Sequence, residues 1–213
     1  MLVLAIDVGI KNLALCAMDT ADGLVHWANE ALSGSTYQPM HNVQYVHEFI
    51  ARNASLFERA NEIVIEKQMR VNMRIIEAVI QSRFYDKCKV VHARTIKTAF
   101  GLGRGNYALN KKASVDYVHQ HLELFGQPKW QSHFARAKKR DDLADAYIMA
   151  LFFSGGGKVS RPCATLGQGR HLPPSPEASK SSESSTRATC LPCGSTLTPP
   201  ATQTVVPATS SNS

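Results

Sequence analysis

The sequence contains no apolar run that approaches the ~20 residues needed for a membrane-spanning helix. It is also poor in cysteine, with five scattered thiols, Cys16, Cys88, Cys163, Cys190 and Cys193. An odd, dispersed set argues against a disulfide framework and favours a reducing compartment. No signal or transit peptide pattern opens the chain, because residues 2–6 already form an apolar run typical of a buried strand. These absences predict a protein of the cytoplasm or nucleus that does not enter a membrane.

Acidic residues are the minority among the charges. The 213 residues include 17 Asp and Glu against 24 Lys and Arg, which gives a formal net charge of +7. This excess suits a polyanionic partner, although many basic proteins bind no nucleic acid. The chain is long enough for one domain with a substantial core and a tail.

The composition changes at the glycine run 155–157. Beyond it, Ser, Thr and Pro dominate and large apolar residues are few, so the segment cannot bury enough surface to offset its ordering entropy. We predict a folded domain over residues 1–155 and a disordered tail over 156–213. The tail holds one C-x-x-C pair, Cys190 and Cys193, which without a second pair does not predict a zinc site.

Hydrophobic periodicity predicts strands that alternate with helices after an initial hairpin. This order favours an α/β fold, a sheet covered by helices. The predicted strands lie at 2–6, 13–18, 24–29, 62–66 and 90–91, and the predicted helices at 41–60, 69–84, 111–125 and 141–153.

Two carboxylates follow buried strands directly. Asp7 comes directly after the apolar run 2–6 and shortly before Gly9. Glu66 comes directly after the apolar run 63–65. Strand ends are where α/β sheets place their functional sites, and buried charges are usually paired or bound to metal. The alternatives are an Asx-turn at Asp7 and an ion pair at Glu66, and both remain open from the sequence.

Two further carboxylates stand at the start of the last predicted helix. Asp142 and Asp145 are three residues apart, so they share one helical face. Like charges placed so closely repel each other unless a cation binds between them. Helix capping explains Asp141 or Asp142 equally well, but it explains Asp145 less well.

These four acids, Asp7, Glu66, Asp142 and Asp145, offer hard oxygen ligands without neutral nitrogen donors. Such a set suits Mg²⁺ or Mn²⁺ and not zinc. Two such ions can activate water and stabilise the leaving oxygen in phosphodiester hydrolysis. We expect Asp7, on the most rigid element, to bridge the two ions.

Three segments resemble the acidic motifs of RuvC-type Holliday junction resolvases. They are AIDVGIKNLA (5–14), IEKQ (65–68) and KRDDLADA (139–146). The resemblance covers residues 1–153, and it is closest to the poxvirus-type branch, which is related to the fungal mitochondrial resolvases. The chain lacks the import segment usual in the mitochondrial branch, which favours the poxvirus-type branch and a large DNA virus or its relative as the source.

The resemblance implies an RNase H-like mixed five-stranded sheet, a homodimer, and Mg²⁺-dependent symmetric nicking of four-way DNA junctions. It places the catalytic acids at Asp7, Glu66, Asp142 and Asp145, with Asp141 as an extra acid outside the ligand set or a substitute for Asp142. Two symmetric cuts require two sites, which also predicts a dimer. The helix with Met69, Met73, Ile76 and Ile80 is an interface candidate, or else part of the core.

Basic residues around the motifs predict the DNA-binding surface. Such groups neutralise backbone phosphates and read little base sequence. The resemblance matches Lys97 and either Lys111 or Lys112 to basic residues of the family. The predicted DNA-binding set is Lys11, Lys67, Gln68, Arg70, Lys97, Arg104, Lys111, Lys112, Lys139 and Arg140. Tyr107 and Phe100 are candidates either for stacking at the junction or for core packing.

Three other functions compete with a junction resolvase. An RNase H-like nuclease for hybrids or other branched substrates would need the same acids. A sugar-kinase-like ATP-binding protein also begins with a strand that ends in D-x-G, but it requires a second phosphate-binding turn and a longer chain. A non-catalytic junction-binding protein would not need all four acids, which are intact here.

Overall fold

A computed structural model of the chain describes residues 1–34, 36–103, 106–125 and 127–155. The predicted tail 156–213, with its C-x-x-C pair, lies outside the described residues, and so does the predicted DNA-binding residue Arg104. The disorder of the tail and the domain boundary at residue 155 therefore stay predictions. Within the described ranges, no helix combines the length and the apolar character that crossing a membrane requires.

The described residues form five strands and seven α-helices, with a short 3-10 turn at Pro39–His41. The strands are β1 (Leu2–Asp7), β2 (Leu13–Asp19), β3 (Gly23–Glu30), β4 (Glu62–Glu66) and β5 (Cys88–Val91). The helices are α1 (Asn42–Arg52), α2 (Ala54–Arg59), α3 (Val71–Arg83), α4 (Ala93–Ala99), α5 (Tyr107–Leu124), α6 (Pro128–Arg136) and α7 (Arg140–Phe153).

The strands make one mixed sheet in the order β3-β2-β1-β4-β5. β1, β2 and β3 are antiparallel neighbours, whereas β4 and β5 run parallel to β1. The expectation of a mixed five-stranded sheet flanked by helices, with a hairpin section first, is therefore confirmed.

Apolar residues cover both faces of the sheet. Leu4 and Ile6 of β1 belong to a core cluster with residues of α1, α2 and α3. Ala5, between them, belongs to a second cluster that includes residues of α5, α6 and α7, because successive side chains of a strand point to opposite faces. Ala14 and Cys16 of β2 add further small side chains on this second face. The free thiol of Cys16 is buried there, so it serves packing.

The structure corrects several predicted boundaries. The helix predicted over 41–60 is two helices, because Asn53 donates a side-chain hydrogen bond to the Phe49 carbonyl (3.2 Å) and another to Glu30 (3.0 Å). α4 and α6 were not predicted at all. α5 begins earlier than expected, because the side chain of Asn106 caps it by accepting from the backbone N–H of Leu109 (3.0 Å).

Candidate metal centre and nucleic-acid cleft

Asp7 and Glu66 lie side by side at the edge of the sheet. β1 and β4 are parallel neighbours in which Ile6 pairs with Ile65, so the next residue of each strand is an acid at the same level. Equal register also places the two side chains on the same face. The strand residues before them are fully buried, which fixes the two carboxylates on the most rigid part of the fold.

A tight turn follows Asp7, and only glycine fits one position of it. A Cβ added at Gly9 would lie 2.2 Å from the Asn12 carbonyl oxygen, a backbone clash that no side-chain movement relieves. Gly9 therefore lets the chain turn directly beside Asp7 and enter β2.

The first two turns of α7 carry the remaining acids, and two β3 side chains hold this end of the helix. The indole N–H of Trp27 donates to the Leu143 carbonyl (3.0 Å), and the amide of Asn29 donates to the Lys139 carbonyl (3.0 Å). Ala144 of α7 packs in the same cluster as the small side chains of the sheet, which allows the helix to approach closely. This packing brings Asp145 to the strand ends.

Asp7, Glu66 and Asp145 converge. Each offers one carboxylate oxygen, and these oxygens all lie within 4.8 Å of one another. One oxygen of Asp145 accepts from the Lys97 ammonium (2.9 Å), while its other oxygen is buried without a hydrogen-bond partner among the described residues. A buried, unpartnered carboxylate oxygen beside two other carboxylates fits a divalent cation with hard oxygen ligands.

The electrostatics of the cluster point the same way. Burial raises the pKa of Asp7 well above its ordinary value, and the negative charges of Glu66 and Asp145 raise it further. Burial also raises the pKa of Glu66, with a further contribution from Asp145. Carboxyl groups that resist full ionisation when they are buried together are stabilised strongly in their ionised form by a bound cation.

Asp142 and Asp141 have different surroundings. Asp142 lines the same cleft but is not one of the three converging acids, and burial followed by the charge of Asp141 raises its pKa. Asp141 forms an ion pair with Lys111. Burial raises the pKa of Asp141, but the bond to Lys111 outweighs it and holds the pKa below its ordinary value. Asp141 is therefore already neutralised by a lysine.

Asp7, Glu66, Asp142 and Asp145 line an open cleft of about 990 Å³, which we call the acid-lined cleft. Of the predicted DNA-binding residues, it is lined by Lys11, Arg70, Lys97, Lys111 and Lys139. Sequence reasoning missed one further cation in the lining, Arg94, because the short helix α4 that carries it was not predicted.

Four predicted DNA-binding residues do not line this cleft. Lys67, Lys112 and Arg140 are exposed elsewhere on the described surface. Gln68 is 9% exposed, and its amide donates to the Glu66 carbonyl (2.9 Å). The side chain of Gln68 is therefore engaged in holding the end of β4.

The apolar candidates divide between surface and core. Tyr107 is 75% exposed and lines the cleft, whereas Phe100 packs against the core. On α3 and the residues before it, Ile76 and Ile80 are buried, but Met69 is 82% exposed. A dimer interface on α3 would therefore use other positions than the two buried isoleucines.

Comparisons with known proteins agree with this fold. The profile of the family described as Poxvirus A22 protein matches residues 1–154. No curated protein sequence matches the chain. Among solved structures, the fowlpox virus resolvase in complex with Holliday junction DNA superposes with a TM-score of 0.55 at 19% identity, covering 73% of this chain and 98% of the resolvase. The yeast mitochondrial Holliday junction resolvase superposes with a TM-score of 0.54 at 19% identity, covering 73% of this chain and 78% of that protein. At such identities the likeness establishes the fold.

Proposed function

The chain belongs to the poxvirus A22 protein family, and from that premise we propose that it is a DNA endonuclease that resolves four-way (Holliday) junctions. The observation that carries the proposal is the convergence of Asp7, Glu66 and Asp145 at the floor of a cleft lined by basic side chains. The fold shared with the fowlpox and yeast resolvases supports it. Acids alone would suit many metal proteins, but acids beneath a rim of cations suit a phosphodiester substrate.

Asp7, Glu66, Asp142 and Asp145 would hold the metal, which we propose to be Mg²⁺ with Mn²⁺ as a substitute. The three converging acids fit one ion, and Asp142, on the same helix face as Asp145, is available for a second. When bound, such ions activate water and stabilise the leaving oxygen of a phosphodiester. Asp141 takes no direct part, because Lys111 already binds it.

The basic residues of the cleft have a binding role in this proposal. Lys11, Arg70, Arg94 and Lys139 would hold the phosphates that flank the scissile bond, and their charge would offset that of the strand. Contacts of this kind carry little sequence information, so recognition rests on the branched shape of the DNA. Lys97 would exchange Asp145 for a phosphate oxygen once a cation neutralises that acid.

The proposal includes a homodimer, because paired nicks in strands of like polarity need two sites and each chain supplies one. The junction-cutting role also places the protein where branched DNA is made, in the cytoplasm, the nucleus or a viral replication site. The paired nicks of the cleavage assay test the homodimer, and the location follows from the proposed activity alone.

The activity is tested by incubating the purified protein with a labelled four-way junction and Mg²⁺ and mapping the nicks. We expect two symmetric nicks near the branch point, no cutting in EDTA, and little cutting of a linear duplex or an RNA·DNA hybrid. The Asp7→Asn variant should bind the junction without cutting it. Equal cutting of the hybrid would favour a general RNase H-like nuclease, and binding without cutting by the wild type would favour a junction-binding protein.

A further inference from the structure

A second groove opens from the acid-lined cleft toward α6. It has a volume of about 380 Å³, and its lining includes Asn12, Asn29, His133, Arg136, Lys138 and Lys139. We call it the α6 groove. Asn12 and Lys139 also line the acid-lined cleft, so the two depressions form one continuous surface.

The cations of the α6 groove have no ion-pair partner among the residues that the structure describes. Arg136, Lys138 and Lys139 are exposed, and no carboxylate is among the lining residues. None of the three forms an ion pair within the part of the chain that the structure describes. The acid-lined cleft differs, because Lys97 and Lys111 there are each bound to an aspartate. Unpaired cations that share one groove favour an anionic ligand from outside the domain.

The backbone that presents these cations is fixed. The Nε–H of Arg136 donates to the Ser132 carbonyl (3.1 Å), so the guanidinium is anchored on α6, and its terminal nitrogens make no hydrogen bond to the described residues. At the other end of the segment, the Lys139 carbonyl accepts from the amide of Asn29 (3.0 Å). A groove whose backbone and one of whose cations are held in place binds an extended polyanion with less loss of entropy than a flexible basic tail would.

We propose that the α6 groove binds the sugar–phosphate backbone of one DNA arm as that arm leaves the acid-lined cleft. This inference rests on the proposed junction-cutting function, because the arm that the α6 groove would bind belongs to the same junction substrate. The continuity of the two grooves favours DNA, since a strand with its scissile phosphate over Asp7 must leave the cleft along a neighbouring surface. Binding there would depend on charge and would carry little sequence preference.

The test compares two variants of equal charge change. Arg136→Ala/Lys138→Ala removes the cations that belong to the α6 groove alone. Lys139 is left intact because its charge also acts on Asp141 and Asp142. The control, Arg52→Ala/Arg59→Ala, removes two exposed arginines that line neither groove and lie outside α3, the candidate interface helix. Junction affinity is measured in EDTA at several salt concentrations, with long-armed junctions and with junctions whose arms are cut back to a few base pairs.

We expect the groove variant to bind the long-armed junction about tenfold more weakly than wild type. The slope of log affinity against log salt concentration should be shallower by about 1 to 2, which corresponds to the loss of about one or two phosphate contacts. The control variant should bind like wild type, and the difference should disappear on the short-armed junction. The proposal is overturned if groove and control variants behave alike, or if the loss persists on short arms, which would place these cations at the branch point. Wild-type protein that neither prefers nor cuts junctions would instead refute the proposed function.

Discussion

The two halves of the candidate metal centre are held by different kinds of structure. Asp7 and Glu66 are held by paired, fully buried strands, whose hydrogen bonds run through the backbone. Asp145, on α7, depends instead on a side-chain contact, the hydrogen bond from the indole of Trp27 to the Leu143 carbonyl. The strand half, Asp7 and Glu66, should therefore keep its position when neighbouring side chains are substituted. The helix half, Asp145, should shift when a single supporting side chain is altered.

Asp7→Asn is expected to have the largest effect, because it removes the acid at the centre of the strand half. Junction cleavage should fall by about a thousandfold or more, since a metal ligand is lost. Folding of the metal-free protein should become more favourable by about 1 kcal/mol, because one of the repelling carboxylates is removed. Cleavage assays and denaturant unfolding in EDTA measure the two effects.

The matched control is Asp116→Asn, which alters an exposed acid of α5 outside the cleft. Cleavage and stability should both stay at the wild-type level. An Asp7→Asn protein that keeps its activity, or loses stability, would show that Asp7 does not belong to a cluster of mutually repelling ligands.

Trp27→Phe tests the helix half through a residue that contacts no substrate. The change removes the hydrogen bond to the Leu143 carbonyl and leaves part of a buried site unfilled, so stability should fall by about 1–3 kcal/mol. Mg²⁺ affinity, measured by calorimetry, should also fall by about tenfold, as for other residues that orient metal ligands.

Trp130→Phe is a matched control for that substitution. The indole of Trp130 also donates to a carbonyl, but to Leu24 of β3 and not to α7 (3.1 Å). It should therefore lower stability while Mg²⁺ affinity stays unchanged. If both variants lost the same metal affinity, the support of α7 by Trp27 would have no special role.

Lys97→Met should raise the Mg²⁺ affinity of the site, whereas Trp27→Phe should lower it. The substitution keeps an unbranched side chain but removes the cation that competes for Asp145. Mg²⁺ should then bind about fivefold more tightly, since an ion pair of this kind contributes on the order of 1 kcal/mol. Cleavage should nevertheless fall, because the phosphate contact is lost. Lys111→Met, which frees Asp141 outside the converging set, should change metal affinity less.

The smallest effect concerns the pH dependence of stability. Because the pKa of Asp7 is raised in the folded protein, the native state holds a proton that the unfolded state releases near the ordinary value of 3.8. The contribution of Asp7 to stability is therefore greatest below that pH and falls as the pH rises through its folded pKa. In EDTA, the stability of Asp7→Asn relative to wild type should increase as the pH rises. A constant difference would contradict the raised pKa.

Sequence reasoning located the strand half well because Asp7 and Glu66 directly follow apolar runs, and strand ends collect at one edge of a sheet. It also placed Asp142 and Asp145 on one face from their spacing alone. It could not anticipate that Lys97 binds Asp145, since the partners are 48 residues apart and meet only through the packing of α4 on α7.

Other misses have local causes. α6 carried a usable signal, because Pro128 is well suited to a first helical position and Trp130 and Phe134 are four residues apart. α4 gave little signal, since Ile96 is its one buried residue. Gln68 is buried because its backbone N–H donates to Glu77 and its side-chain amide donates to the Glu66 carbonyl. No spacing or periodicity in the sequence predicts these hydrogen bonds.

Crystals of the protein soaked with Mn²⁺ would locate the cation by its anomalous scattering. We expect a peak about 2.2 Å from carboxylate oxygens of Asp7, Glu66 and Asp145. Lys97 should be displaced from Asp145 in the same map. An ordered Mn²⁺ bound only elsewhere, with these three carboxylates unchanged, would contradict the assignment of this cluster as the metal centre.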